Sequence, residues 1–168
     1  MDLAIDASTN FSKALVKMIR NKDYYPIING TKITDRKKLI EDILYIGVGN
    51  LERIKEYSIL IQQKKNDLSL NAYNKKREIE NKSHKGYIME SYDNPNQLHR
   101  LEVRINSDAI KDFITREHIE YNPSMFITDE WLWLFYLTFL NRLMRFQAVK
   151  GRKGYEVMEN SRVLGQCP

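Results

Sequence analysis

Residues 57–78 read YSILIQQKKNDLSLNAYNKKRE. Two short apolar runs, YSILIQQ and LSLNAYN, flank the polar loop KKND. Strand-length runs joined by so few polar residues predict a β-hairpin, and therefore an antiparallel sheet. The second run alternates and ends on Tyr73. Lys75, Lys76, Arg77 and Glu78 follow at once, and the charged, helix-compatible stretch continues to Ser83. One tyrosine thus stands at the mouth of a cluster of charges.

The same period of two recurs on both sides of the hairpin. MDLAID sets Leu3 and Ile5 on one face, with Asp2, Ala4 and Asp6 on the other. HRLEVRIN, residues 99–106, turns Leu101, Val103 and Ile105 one way and Arg100, Glu102 and Arg104 the other. ILYIGVG, residues 43–49, reads as a further strand closed by glycines. YYPIING reads as extended chain ending in a turn at Asn29-Gly30. Helical spacing predicts a helix from Phe11 to Arg20 behind the capping run STN. A second is expected over 107–118, capped by Ser107 or Asp108, and a third over 128–149, with Thr128 as cap and Asp129 and Glu130 at the positive end of its dipole. DNPNQ, residues 93–97, is a loop. The elements make an α+β protein, an antiparallel β-sheet with flanking helices. Residues 1–149 are expected to form one catalytic-core-sized domain, and 150–168, which lack a period, a flexible tail.

The totals agree. At 168 residues, folding buries roughly 70% of the chain's surface, enough for a core without staples. The net charge of +5 suits contact with phosphate but does not require it. Cys167 is the single cysteine, so no disulfide forms within the chain and no thiolate metal site exists. A reducing cytoplasm is the natural setting. The start lacks a signal-peptide pattern. The most apolar run, WLWLFYLTFL at 131–140, is half the length of a membrane span and is expected to be a buried helix.

The candidate chemistry is acidic and phenolic. His84, His99 and His118 form no zinc-ligand pattern, and no phosphate-binding glycine loop or Gly-x-Ser-x-Gly elbow occurs. Carboxylates brought from two or three strands could hold Mg2+ or Mn2+, which polarises a phosphodiester. A tyrosine oxygen could then attack phosphorus. Plainer readings stand beside these. Arg-Glu-Arg on a strand is the pattern of a solvated face with cross-strand ion pairs. Asp2 and Asp6 suit a polar edge, KKREIENK a charged helix surface, and Trp131, Trp133, Phe135 and Phe139 a core.

The order of the motifs resembles the catalytic core of rolling-circle replication initiators of the staphylococcal-plasmid type, related to relaxases and filamentous-phage initiators. MDLAID takes the place of the family's Arg-Leu-Asp-Leu-Ala-x-Asp strand, YIGVGN from Tyr45 that of Tyr-x-Gly, AYNKKRE that of Tyr-Asn/Asp-Lys-x-x-Glu, and HRLEVRIN that of Arg-x-Glu-x-x-x-Lys. The resemblance covers about residues 1–106 and implies an N-terminally truncated member with a partly incomplete sheet. It implies nicking and rejoining of DNA at a single-stranded or hairpin origin through a 5′-phosphotyrosine on Tyr73. Asp2 and Glu102, with Asp6 and Glu78 nearby, would attend Mg2+ or Mn2+. Lys75, Lys76, Arg77, Arg100 and Arg104 would contact DNA. Implied partners are DNA, a second copy of the chain, and a host helicase and polymerase, with no membrane. The alternative is a non-catalytic DNA-binding or interaction domain derived from such an initiator.

Overall fold

The computed structural model describes residues 1–45, 58–63 and 68–149. Its first strand, β1 (Asp2–Ala7), alternates as the sequence predicts, with Leu3 and Ile5 turned toward the core. Helix α1 (Phe11–Arg20) follows. Asn10 caps it, its side chain accepting the Lys13 N–H, and Ser12, Val16 and Ile19 form its buried stripe. β2 (Tyr24–Ile28) and β3 (Thr31–Lys32) make a hairpin closed by Asn29 and Gly30, at φ 49° and 78°. Two residues with positive φ give the turn whose twist matches paired strands, as the Asn-Gly pair predicts.

Helix α2 (Arg36–Ile43) was not anticipated. Its last residue, Ile43, is the first of the stretch expected to be a strand, of which Leu44–Tyr45 (β4) are extended. Just two of its side chains, Leu39 and Ile43, are buried, so its apolar stripe is too thin to read against RKK and ED. The rest of the expected strand, 46–49, lies outside the described residues, as does the tail 150–168.

β5 (Ser58–Gln62) and β6 (Leu68–Asn74) pair antiparallel, Ile61 opposite Leu70 and Ile59 opposite Ala72. The chain then makes α3 (Lys75–Glu78), a π-helical turn over Ile79–Ser83 and a short α4 (Gly86–Glu90). β7 (His99–Ile105) returns between β1 and β6. The result is a five-stranded antiparallel sheet in the order β1-β7-β6-β5-β4.

After β7 comes α5 (Ser107–Arg116), capped by Asn106 rather than by Ser107 or Asp108. Asn106 still holds extended dihedrals while its side chain accepts the Ala109 N–H. A 3-10 turn over Pro123–Phe126 leads into α6 (Asp129–Leu143). Asp129 and Glu130 do open this helix. Thr128 takes the cap position as expected, but its hydroxyl points away from the helix and donates to the Ser124 carbonyl at 3.2 Å.

The helix expected to reach residue 149 stops at Leu143, and the chain turns into β8 (Met144–Ala148). β8 pairs with β2, giving a three-stranded sheet in the order β3-β2-β8. Met144 is buried while Arg145 and Gln147 are exposed, a period of two at the end of a long helical pattern. The pairing energy of a full strand partner for β2 outweighs one more helical turn.

The core lies between the inner face of the five-stranded sheet and the helices. Leu70, Val103 and Ile105 from the sheet and Phe135, Phe139 and Leu143 from α6 have no exposed surface. Phe113 of α5 meets Phe135 edge-on and Phe139 tilted, both at 5.8 Å between centroids. The apolar run at 131–140 is thus core on one side only: Phe135, Tyr136 and Phe139 are buried, whereas Trp133, expected in the core, and Leu137 are exposed. Among the described residues no helix is long and apolar enough to cross a membrane.

Candidate functional site

The other face of the five-stranded sheet carries the polar half of each alternation. Register sets three cross-strand rows. Asp6, Arg100 and Tyr73 form one, Ala4, Glu102 and Asn71 the next, Asp2, Arg104 and Ser69 the third. β7 lies in the middle, so its Arg-Glu-Arg faces acids from β1 on one side and Tyr73 on the other.

Arg100 and Asp6 form a forked pair, Nε to Oδ1 at 2.7 Å and Nη2 to Oδ2 at 2.6 Å. The Asp6 side chain is 4% exposed and that of Arg100 20%. The hydrogen bonds and charge of Asp6 hold the guanidinium well above its ordinary pKa, against burial, which pulls it down. Arg104 repeats the fork on Asp2 at 3.0 and 3.2 Å, but in the open: its side chain is 60% exposed and that of Asp2 50%. Here solvent weakens the attraction. Arg104 also reaches Glu102 at 3.7 Å.

Tyr73 is half-buried, and its hydroxyl donates to Glu102 Oε2 over a long 3.3 Å. Its pKa is pushed up from 10.0 to about 12, first by burial and then by the negative charge of Glu102, with Arg100 pulling the other way. At neutral pH the group is a phenol with a carboxylate placed to take its proton. Tyr73 and Glu102 are thus together, and Asp2 joins them through Arg104.

The cluster after Tyr73 is arranged differently from the DNA-contact role foreseen for it. Asn74 caps α3 by accepting the Arg77 N–H at 2.9 Å. That turns Lys75 inward. It is buried, its N–H donates to the Leu98 carbonyl at 2.9 Å, and its ammonium lies 2.5 Å from Glu78. Burial raises the Glu78 pKa, but bonding and charge from Lys75 outweigh this and leave it below the ordinary value. Lys76 donates to the Pro95 and Asn96 carbonyls at 3.4 and 3.5 Å. Arg77 is exposed.

The expected metal ligands do not make a ready site for Mg2+ or Mn2+. Asp2 and Asp6 each accept a guanidinium fork, and Glu78 accepts an ammonium. Among the described residues, no three His, Cys, Asp or Glu side chains gather as a metal group. A hard cation takes six or more oxygens, and arginines stand where they would be shared.

One residue of this site went unforeseen. The Tyr92 hydroxyl donates to Asp6 Oδ2 at 3.1 Å. Burial, then the hydrogen bond and charge of Asp6, raise its pKa. The loop that places it folds back through the Asn94 N–H bond to Met89, with Asp93 and Asn94 at positive φ. The turn signal in SYDNPN marks the loop in the sequence, but nothing there marks the partner. Compared with family models, curated proteins and solved structures, the chain matches none.

Proposed function

We propose that this polar sheet face cuts and rejoins one DNA strand through Tyr73. The phenolic oxygen bonds to phosphorus and the P–O3′ bond breaks. Glu102 takes the phenolic proton, and the departing 3′ oxygen takes one from solvent. The products are a 5′-phosphotyrosine and a free 3′ hydroxyl. The reverse reaction rejoins the strand. Arg100 and Arg104, flanking Glu102 in the register, offset charge on the phosphate.

One observation carries this reading. The Tyr73 hydroxyl sits 3.3 Å from the Glu102 carboxylate, between residues 29 positions apart in sequence, on the face away from the core. A nucleophile and its base within reach form the recurring signature of covalent catalysis. The test is incubation with single-stranded and hairpin oligonucleotides, with Mn2+ or with a chelator. Denaturing gels should show a covalent adduct for the wild type and for Tyr92→Phe, and none for Tyr73→Phe.

A second reading is a non-catalytic DNA-binding domain. It is favoured by the guanidinium forks on Asp2 and Asp6, which give both acids a structural use. A shifted gel band without any adduct would decide for it.

A further inference from the structure

Lys75, Arg100 and Arg104 are each matched by an acid of this chain, so they add nothing to its net charge, and the basic excess stands elsewhere. It is concentrated in residues 10–38. Eight lysines and arginines stand there against two aspartates, an excess of six where the whole chain has +5.

We propose that α1 presents a stripe, Lys13, Lys17 and Arg20 continued by Lys22, that tracks a nucleic-acid backbone. This deepens the DNA reading above and rests on it for the identity of the polymer. The stripe is built by the helix period. Ser12, Val16 and Ile19 fix the buried side, and positions 13, 17 and 20 then fall together on one exposed flank. It spans about 10 Å, or about three phosphates along one strand of a duplex. α1 contains no acid, and no carboxylate among the described residues pairs with any of the four cations. Lys37 and Lys38 of α2 differ, since Glu41 and Asp42 follow each by one turn.

The stripe also has a place relative to Tyr73. The buried Ser12 hydroxyl donates to the Ala72 carbonyl at 2.9 Å. The first turn of α1 is therefore docked on the residue preceding Tyr73, and Lys13 stands beside that anchor. α1 packs on the core side of the sheet and the Tyr73 hydroxyl lies on the other, so the stripe and Tyr73 are neighbours at one end of β6 but on opposite faces.

The experiment is fluorescence anisotropy with labelled single-stranded and duplex oligonucleotides over a salt series, with vesicles rich in phosphatidylserine as a parallel arm. Lys13→Ala/Lys17→Ala/Arg20→Ala should bind at least about tenfold more weakly near physiological salt. Its salt slope should be shallower by about 2 on a single strand, or about 3 on a duplex. Lys37→Ala/Lys38→Ala should change affinity less than about threefold. A glutamine version of the triple variant, checked by circular dichroism, guards against misfolding. Unchanged oligonucleotide binding by the triple variants overturns the proposal, as does a loss confined to vesicles or a wild type that binds no oligonucleotide. The two readings fail separately. A missing Tyr73 adduct with weakened binding by the triple variant sinks only the nicking reaction, and a normal adduct with unchanged binding sinks only the stripe.

Discussion

Removing Arg100 should cost more than removing its partner. The Arg100–Asp6 fork has two charge-assisted bonds at 2.7 and 2.6 Å, but its ends are unequally buried, 20% and 4% exposed. Arg100→Met strands a carboxylate almost out of water, with the Tyr92 hydroxyl as its remaining polar contact in the fork. Breaking a buried pair from one side costs about 3–5 kcal/mol, and about 4 is expected here. For a chain of this size that lowers Tm by about 8–16 °C. Asp6→Ala leaves a guanidinium that can still reach water, so about 2–3 kcal/mol is expected. Asp6→Ala/Arg100→Met removes both charges and should be more stable than Arg100→Met alone. Urea titrations followed by circular dichroism measure all of this. A loss under about 1 kcal/mol for Arg100→Met, or a double variant worse than either single one, would refute the reasoning.

Three further outcomes are expected. Tyr73 should ionise near pH 12, and Glu102→Gln should lower that value, read as phenolate absorbance against Tyr73→Phe. Since folding raises this pKa, the stability it reflects is present below about pH 10 and lost as pH rises toward about 12. Phe139→Ala, in a core position with no exposed surface, should cost about 3–5 kcal/mol in equilibrium unfolding. Gly30→Ala has open space around its new Cβ but must hold φ at +78°, so about 1 kcal/mol should be lost, again by urea titration.

The legible parts of the fold were those with a clean period. β1, β7, the β5–β6 hairpin and α1 carry strict alternation or an unbroken apolar stripe, and the Asn-Gly pair names its own turn. α2 buries two residues, too few for a stripe. β8 hides behind α6 because MRFQA continues an apolar helix, and only the distant β2 makes it a strand. The candidate site divides in the same way. The face that carries Glu102, Arg100 and Arg104 was readable from HRLEVRIN. Their neighbours were not, because the position of β7 between β1 and β6 is a matter of strand order. That order makes Arg100 and Arg104 cross-strand partners of Asp6 and Asp2, the plainer of the readings of that strand. Lys75 was expected to face DNA, but the Asn74 cap fixes the start of α3 and turns it inward.

The account stands on Tyr73 as the atom that bonds to DNA. Digesting the protein with trypsin after incubation with an oligonucleotide isolates Tyr73 in the peptide 66–75, which holds no other tyrosine, while Tyr92 falls in the peptide 86–100. Mass spectrometry should find the nucleotide phosphate on the first peptide, and not in Tyr73→Phe. Phosphate on the second peptide, or an unmodified 66–75 under conditions where the strand is cut, would contradict the account.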